Sequence, residues 1–582
     1  MNLNEILDIL DEDQQDVFIE PPDVHELTDE DSSNEDEKQT GPENLSGNQL
    51  RAPAQLSHRD LGDESADDVD LLPPSQKKKK ITEKKQKVKT EWTYKEEPLK
   101  KFPIFPEGDF RKYRDFSPVM LFELFFDDEL IEYIVEQSTI YCLSKNWPDI
   151  KVKCEEIRVF IAILIVSGYD VLPSKALYWS SGDDVRNKAV YDAMRRDRFD
   201  AIMRCLHFLP NTELDKTDKY SKIRPLITHL QKKFMLHFIP TQNMSHDEAM
   251  IEYFGKHGCK QAIRNKPIRF GYKAWCQNTY YGYLVAFDLY QGKTYKGNAE
   301  LESEFGKCAS TVLHLLDQYS DEKKLPYHIF FDNLFTTLPL LAELRKRGCN
   351  GTGTIRSNRL GKDCTLISTE TVEKKERGFS MTVTSKVDNE KILVTRWKDN
   401  SVVTVASSVN GSQPIGKCER WSKAEAKKNR VQIPYVVKFY NSNMGGTDRM
   451  NQNVNAYRIS IKGKKWYWCI FTWLLDVALQ NAWLLLRQQG SSILQREFRR
   501  EVAMSYLTRY QFLPKAPGKK SSTAPGRSDM RYDGKDHLVQ RVPENKKRRC
   551  AGDHCKSIGR TECKKCKVGL CVDCFVSYHT LS

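Results

Sequence analysis

The spacing of apolar residues changes twice along this chain, and these changes limit the folds that it can form. From 110 to 243 apolar residues recur every three or four positions, as in SPVMLFELFFDDELIEYIVEQ, which predicts helices. Between 244 and 355 the runs MIEYF, YLVAFDLY and YHIFFDN predict strands between helical segments. From 458 to 514, KWYWCIFTWLLDVALQNAWLLLRQQ predicts a long apolar helix. We therefore expect an α/β core flanked by a split α-helical domain.

A β-rich insertion is predicted within this core. Residues 356–431 alternate between apolar and polar in FSMTVTSK, KILVTRW and SVVTVASS. The run IPYVVKFYN is expected to resume the core sheet as a strand, so that 432–457 form the second part of the core. Residues 515–548 are rich in Gly, Pro, Ser and Lys, which predicts a basic linker.

Charge is distributed unevenly. Residues 1–70 contain 22 Asp and Glu against three Lys and Arg, a balance of −19, and the whole chain has a net charge of +12, so the remainder carries +31. We expect 1–95 to be a disordered acidic arm and the basic body to bind nucleic acid, although a basic surface kept for solubility is the alternative.

Two sequence features bear on the cellular location. Basic runs at 77–89 and 546–549 resemble nuclear localisation signals. No stretch approaches the roughly 20 apolar residues that span a bilayer. We therefore expect a nuclear protein with no membrane partner.

Three aspartates stand where metal chemistry would require them. Asp247 lies in NMSHDEAMIEYFG, Asp332 ends the strand-like YHIFF, and Asp448 follows two glycines. Attack on a phosphodiester is assisted by two divalent ions about 4 Å apart, and carboxylates suit Mg²⁺ or Mn²⁺. Each aspartate also has an ordinary alternative, as surface charge or as a helix cap, so spacing alone does not decide.

Basic residues border these aspartates, as a substrate with a phosphate backbone would require. The residues that we expect to contact DNA are Lys266, Arg269, Arg449, Arg458, Lys464, Lys465 and Trp466. The Trp466 indole could stack on an unpaired base or anchor the following helix in the core.

The C-terminal 33 residues, in the predicted module 549–582, contain six of the 16 cysteines. Two Cys-x₂-Cys pairs in so short a segment predict zinc, without which it could hardly fold. The candidate Zn²⁺ ligands are Cys550, Cys555, Cys563, Cys566, Cys571, Cys574, His579 and, as the weakest, His554. We expect the ten other cysteines to be reduced and buried.

Several long segments resemble the piggyBac transposase family, including its transposable element-derived relatives. They are SHDEAMIEYFGKHGCKQAIRNKPIRFGYK at 245–273, FFDNLFTTLPLLAELRKRGCNGTGTIRSNRL at 330–360, VKFYNSNMGGTDRMNQNVNAYRISIKGKKWY at 437–467, and the cysteine-rich tail. The resemblance implies an RNase H-like core in which Asp247, Asp332 and Asp448 match the family's catalytic aspartates.

The resemblance also implies partners and a reaction. It implies two interleaved zinc sites in a tail that binds transposon ends, and a homodimer acting on double-stranded DNA. The helical domain would supply dimer and DNA contacts. The transposon would be excised from its terminal repeats through hairpin ends and integrated at TTAA sites.

One departure from the family leaves alternatives open. Family enzymes often carry a fourth aspartate three residues after the third, where this chain has Asn451. Three residues along a helix would face the same site, and an amide adds no negative charge there. The alternatives are a domesticated, transposase-derived DNA-binding or regulatory protein without transposition activity, and a zinc-dependent protein-interaction module such as a ubiquitin ligase.

Overall fold

The computed structural model describes most of the chain from residue 90 onward. The described ranges are 15–19, 54–58, 90–97, 99, 103–147, 151–182, 184–263, 266–292, 299–422, 426–510 and 531–580. The strands Gln15–Ile19 (β1) and Ala54–His58 (β2) pair antiparallel. Most of the expected acidic arm, the basic run at 77–89 and residues 515–530 of the expected linker lie outside these ranges.

Helices fill the segment before the sheet, as the apolar spacing predicts. They are α1 (Pro118–Glu123), α2 (Asp128–Ser144), α3 (Cys154–Tyr169), α4 (Lys188–Ala193), α5 (Arg196–Cys205) and α6 (Arg224–His237). Ser117 and Asp127 begin the first two helices, because each side chain accepts a backbone N–H that the helix leaves without a partner. Helix α3 is buried on nearly all sides, so it forms the centre of this helical layer.

A mixed sheet of ten strands follows. Its members are β3 (Thr90–Thr93), β4 (Asn243–Glu252), β5 (Gln261–Ala262), β6 (Phe270–Thr279), β7 (Leu284–Leu289), β8 (His328–Phe331), β9 (Asn350–Thr354), β10 (Ser380–Val387), β11 (Glu390–Lys398) and β12 (Val402–Ser407). The strand order is β3-β10-β11-β12-β9-β8-β4-β6-β5, with β7 also paired to β6. Strand β4 is antiparallel to β6 but parallel to β8, which is parallel to β9.

Four helices connect these strands. They are α7 (Ala299–Phe305), α8 (Ala309–Asp317), α9 (Leu338–Lys346) and α10 (Thr369–Glu373). Helix α9 begins at Thr337, whose hydroxyl accepts the N–H of Leu340, and its apolar residues are buried. The alternation of strand and helix that the sequence predicts for the core is therefore present.

The predicted insertion is continuous with the core sheet. Strand β12 pairs with β9, so β10, β11 and β12 extend the same hydrogen-bonded ladder. Strand β3 extends it further by pairing with β10, although it lies within the expected disordered arm. Among the described strands of the insertion, β13 (Gly416–Ser422) and β14 (Lys427–Ile433) form a separate two-stranded hairpin.

The expected strand IPYVVKFYN is instead a helix, α11 (Tyr435–Asn443), followed by α12 (Gly446–Ala456). Pro434 begins α11, and proline is well suited to a helix start because no hydrogen bond from its nitrogen is needed there. Val436 and Val437 are buried against Trp397 and Val405. The strand prediction was wrong because a short apolar run does not distinguish a strand from a buried helix.

The two helical segments, before and after the sheet, pack together. Helices α13 (Trp468–Gln488) and α14 (Gln495–Arg509) contact α1, and α14 also contacts α3 and α4. Helix α13 is long and apolar enough to cross a membrane, but 78% of its most apolar window is buried inside the protein, as in a core helix. The Asn481 amide bonds both the N–H and the C=O of Leu284 on β7, which fixes α13 to the sheet.

The scattered cysteines differ in part from expectation. Cys142 on α2 and Cys205 at the end of α5 are paired as a disulfide, with Cα atoms 5.9 Å apart. The sequence does not predict this pairing, because the two cysteines are 63 residues apart and are brought together by the packing of α2 against α5. Among the other eight, Cys259, Cys276 and Cys349 are buried thiols.

The C-terminal unit, Leu513–Ser582, has its own small fold. Strand β15 (Val539–Arg541) pairs with β18 (Thr561–Cys563), β16 (Arg548–Arg549) pairs with β17 (Ile558–Gly559), and α15 spans Val572–His579. The module therefore begins before residue 549, because residues 531–548 of the expected linker supply two of its strands.

A buried ion pair joins α13 to α14 and provides a test of their packing. Arg499 donates to Asp476 at 2.6 Å, and both side chains are fully buried. Arg499→Leu leaves the Asp476 carboxylate buried without its partner, so we expect it to lower the free energy of unfolding by about 3–5 kcal/mol, measured by chemical denaturation.

The exposed pair between Lys324 and Asp321 supplies the control. Lys324→Ala should leave the unfolding midpoint nearly unchanged, since exposed pairs contribute little. Equal effects of the two substitutions would contradict a structural role for the buried pair.

Candidate active site and metal clusters

Asp247 and Asp332 lie side by side on neighbouring parallel strands. The β4–β8 ladder runs from Asn243 opposite His328 to His246 opposite Phe331, so the next residue on each strand is an aspartate. Adjacent strands lie about 4.8 Å apart. The backbone N–H groups of Glu248 and Leu334 each donate to one of these carboxylates at 2.8 Å. Strand pairing thus brings together two aspartates that are distant in sequence.

Helix α12, which carries Asp448, approaches the strand of Asp247 closely. A Cβ atom on Gly446 would lie 2.3 Å from the Ser245 hydroxyl and 2.4 Å from the Thr279 carbonyl, so only glycine fits there. The Thr447 hydroxyl donates to Asn278 at 2.9 Å. Ser245 is two residues before Asp247 on the same face of β4. The first turn of α12, which carries Asp448, therefore lies beside this strand, and Asp448 is exposed.

Burial and neighbouring charges raise the pKa values of several groups around the aspartates. Burial and, to a smaller extent, Glu248 raise the pKa of Asp332 to about 6, against the lowering effects of the Leu334 N–H, Lys266 and Lys273. Burial, Glu248 and Asp332 raise the pKa of Asp247. Burial also raises the pKa of Tyr440 on α11, and all three aspartates add to that shift. Tyr440 is therefore a neighbour of all three charges.

The site has free carboxylates for a cation. Within the described residues no Lys or Arg forms an ion pair with Asp247, Asp332 or Asp448. Their oxygens do not all lie within 4.8 Å of one another, and a two-ion site does not require this because each ion can take a different subset. Asn451 is half-buried one turn along α12 from Asp448.

A buried charge network beside the aspartates is not evident from the sequence. Glu248 is 8% exposed and pairs with Lys266 at 3.0 Å. Burial alone would raise the pKa of Glu248, but Lys273 and Lys266 outweigh it and lower the pKa to about 2. The Lys273 ammonium also lies 3.9 Å from the centre of the Trp275 ring. The positive charges of Lys266 and Lys273 thus offset the negative charge of Glu248, the residue next to Asp247.

Arg359 supports the turn that follows Asp332. Its guanidinium donates to the carbonyl oxygens of Asn333, Leu334 and Thr336 at 2.8, 3.1 and 2.9 Å. The Thr336 hydroxyl in turn donates to the carbonyl of Asp332 at 2.7 Å. The backbone around the second aspartate is therefore held by a side chain from a later segment.

The expected DNA-contacting cations fall into two groups. Arg269, Arg449 and Lys464 are exposed, and Arg449 also donates to the carbonyl of Tyr280. Arg458 is paired with Glu252, and Lys266 with Glu248. The first group can meet a phosphate directly, whereas the second already has carboxylate partners.

Lys465 and Trp466 are structural in this conformation. Lys465 donates to the carbonyls of Arg204 and Leu206, at the end of α5. Trp466 is 5% exposed and stacks on the half-buried His257 ring, with centroids 4.3 Å apart. Of the two roles that the sequence left open for Trp466, this burial favours the core anchor.

Two four-residue clusters in the C-terminal unit could each hold a metal ion. Ligand atoms within 4.8 Å of one another come from Cys550, Cys555, Cys571 and Cys574 in one cluster and from His537, Cys563, Cys566 and His579 in the other. The ligands alternate between clusters along the chain. The two sites are thus interleaved, as the family resemblance implies.

His537 takes the place that was expected for His554. His554 is exposed and belongs to neither cluster, so assigning it as a ligand was wrong. His537 lies 26 residues before Cys563 and reaches the cluster because β15 pairs with β18. Its Nε2 contacts Asp533 at 3.0 Å, and such a carboxylate commonly orients a metal-binding histidine.

The cluster dimensions fit zinc. Tetrahedral zinc with bonds of about 2.3 Å to sulfur and 2.0–2.1 Å to nitrogen implies sulfur–sulfur edges of about 3.8 Å and sulfur–nitrogen edges of about 3.5 Å. Cys571 lies 3.7 Å from Cys550 and 3.9 Å from Cys555, sulfur to sulfur. His537 Nδ1 lies 3.5 Å from both Cys563 and Cys566. His579 Nε2 is buried without a hydrogen-bond partner, as a ligand atom would be.

Comparisons with known proteins agree with this architecture. A family model described as Transposase IS4 matches residues 117–483. The chain is 38% identical over 607 residues to human PiggyBac transposable element-derived protein 3, covering all of this chain and 99% of the relative. It is 36% identical to human PiggyBac transposable element-derived protein 2, covering 92% and 89% of the two chains.

A solved structure is also similar. The cryo-EM structure of a piggyBac transposase synaptic complex with hairpin DNA matches with a TM-score of 0.57 and 19% identity. The match covers 81% of this chain and all of that chain. At this identity the match shows a shared fold.

The two adjacent glycines before Asp448 provide a test of the α12 contact. Gly446→Ala forces a methyl group against Ser245 and Thr279, so we expect it to lower the free energy of unfolding by about 1–3 kcal/mol, measured by chemical denaturation. Gly445 has nothing within 4 Å of its added Cβ and a negative φ, so Gly445→Ala is the control and should have little effect. A larger loss of stability in Gly445→Ala than in Gly446→Ala would contradict the close approach of α12 to the sheet.

The two histidines provide a test of the clusters. His537→Ala should lower the zinc content of the purified chain from about two ions to one, because one cluster loses a ligand. His554→Ala is the matched control and should retain both ions, measured by atomic emission spectroscopy. Loss of zinc in the control with full retention in His537→Ala would contradict the assignment.

Proposed function

The chain belongs to the piggyBac transposase family, and from this premise we propose that it is a metal-dependent DNA transposase. The proposed reaction excises DNA from terminal repeats through hairpin ends and inserts it at TTAA sites. The hairpin DNA of the similar solved complex supports the first part. The TTAA target rests on the family resemblance.

The observation that carries the proposal is the pairing that aligns Asp247 with Asp332. The strand order β7-β6-β4-β8-β9, with three antiparallel strands followed by two parallel ones, supports an RNase H-like core. The first aspartate lies on its first strand, and the second follows the strand after the antiparallel three. Asp448 lies on a later helix, as the family pattern implies.

Asp247, Asp332 and Asp448 would hold two Mg²⁺ or Mn²⁺ ions. Bound there, the ions would activate water or a 3′-hydroxyl and neutralise charge on the leaving oxygen. Tyr440 and the Glu248–Lys266 pair border the same place and limit how the carboxylates can turn. The Arg359 hydrogen bonds hold the turn that follows Asp332.

The surroundings suit a phosphate backbone. Arg269, Arg449 and Lys464 are exposed cations of the kind that contact DNA phosphates. We propose that Arg458, Lys465 and Trp466 lie beside the bound DNA and stabilise the protein surface that contacts it. Binding should weaken steeply with salt, because counterions are released when phosphates are neutralised.

Further parts of the proposal concern assembly. We propose that both C-terminal clusters bind Zn²⁺ and that this module holds the terminal repeats. The helical layer formed by α1–α6 with α13 and α14 would provide the homodimer contacts. The lysine-rich run at 77–89 would direct the protein to the nucleus.

A second candidate function is DNA binding without transposition. Asn451 favours it, because an amide beside Asp448 lowers the negative charge available to a metal ion. The names of the human relatives describe them as transposable element-derived. The presence of all three aspartates favours the enzyme.

Substitution of the second aspartate tests the enzyme. Asp332→Asn should reduce Mg²⁺- or Mn²⁺-dependent excision of a reporter flanked by matching terminal repeats by about 100-fold or more, because a metal ligand is weakened. DNA binding, measured by mobility shift, should persist. The control is Asp321→Asn, which changes an exposed aspartate.

The outcomes separate the candidates. Cleavage that survives Asp332→Asn, or is lost equally in the control, would contradict the assigned site. A wild-type chain that binds the repeats but cuts them with neither metal would favour the regulatory protein. A chain that binds no DNA through its zinc module would favour the protein-interaction alternative.

A further inference from the structure

Trp421 on β13 is set apart from the other tryptophans of the chain. The sequence contains ten tryptophans, and all ten are among the described residues. Nine are buried or half-buried, whereas Trp421 is 58% exposed. A single exposed aromatic side chain is common on protein surfaces, so the case for a contact at Trp421 rests on the residues around it.

The hairpin formed by β13 and β14 has two different faces. Inward residues Cys418 and Val431 lie opposite each other and pack against the cluster around Trp397. On the outward face Trp421 lies opposite Lys428, and Glu419 lies opposite Arg430. Lys417 continues that face, so it carries three exposed cations and one carboxylate around the indole.

The hairpin is fixed firmly to the sheet. The Trp397 indole donates to the carbonyl of Gln432 at 2.9 Å. Asp399 bridges Arg377 and Arg420 at 2.5 and 2.8 Å. Its inward face and these bonds already hold the hairpin in place, so the outward Trp421 is not needed for its folding.

The position of the hairpin connects it to the aspartate site. Strand β14 leads through Pro434 into α11, which carries Tyr440 next to the three aspartates. A nine-residue helix is about 14 Å long, and the seven residues from Lys428 to Pro434 span roughly 23 Å as strand. Together these lengths place Lys428 within about 37 Å of the far end of α11, which is comparable to one turn of duplex DNA, about 34 Å.

We propose that this hairpin is a nucleic-acid contact in which Trp421 stacks on an unpaired base while Lys417, Lys428 and Arg430 contact the flanking phosphates. An indole face accepts any base, and cations around it match the charge of the backbone. A polyanion explains the basic surround, which an apolar protein partner would not require. This inference rests on the proposed function, since a hairpin-forming reaction exposes unpaired bases.

Binding of DNA by the full chain tests the contact. The background is Asp332→Asn, which prevents cleavage. The probes are fluorescein-labelled 30-nucleotide DNA of mixed sequence as single strand, as perfect duplex, and as duplex with a two-base unpaired bubble. Dissociation constants are measured by anisotropy between 50 and 200 mM salt for Trp421→Ala, Trp421→Phe and Lys428→Ala.

Stacking and phosphate contact predict different signatures. Trp421→Ala should weaken binding of the single-stranded and bubble probes about tenfold, with a smaller effect on perfect duplex and no change in the salt slope. Trp421→Phe should restore most of the binding. Lys428→Ala should weaken all three probes and lower the salt slope by about one. The control Tyr94→Ala removes another exposed aromatic and should change none of these values.

The results distinguish this proposal from the proposed function. If the Asp332→Asn chain binds DNA but Trp421→Ala matches it on every probe with an unchanged melting temperature, the hairpin contact is overturned and the transposase proposal stands. If Trp421→Ala changes only the oligomeric state on gel filtration, the hairpin is a protein contact and the inference is likewise overturned. A chain that binds no probe overturns both.

Discussion

The parallel pairing of β4 with β8 is the interaction on which the rest of the molecule depends. These strands come from segments more than 80 residues apart, and their backbone hydrogen bonds alone determine that Asp247 stands beside Asp332. A shift of one residue would turn every side chain of β4 to the opposite face. The other features of the site, including the close docking of α12, are arranged around this ladder.

Charge around the site is balanced in a particular way. Lys266 and Lys273 are directed to Glu248, the neighbour of Asp247, and in the described residues no cation forms an ion pair with the three aspartates. A buried carboxylate without compensation would be costly. The pairing keeps one acid charged and structural while the other three remain available to ligands. Four acidic residues of similar chemistry thus have two distinct roles because their neighbours differ.

Sequence patterns predicted the helix–sheet–helix order and all six clustered cysteines, because these depend on local periodicity and on closely spaced motifs, whereas the choice of the three aspartates came from the family resemblance. They did not predict His537, since its place in a cluster depends on strand pairing across a stretch that looks like a linker. The strand prediction for 432–440 failed because two adjacent valines suit either structure. Glu248 and Arg359 resemble ordinary surface residues until the sheet buries one and the other reaches back to the Asp332 turn.

Strand β3 has a consequence for how the protein is shortened. Thr90–Thr93 pairs with the outer side of β10, which would otherwise be the last strand at that end of the sheet. Unpaired backbone groups along an exposed strand invite other chains to add to it. A truncation that removes the acidic arm up to about residue 95 would therefore leave the longer strand β10 as the unpaired edge, whereas one that stops before residue 90 would keep the short strand β3 as the edge.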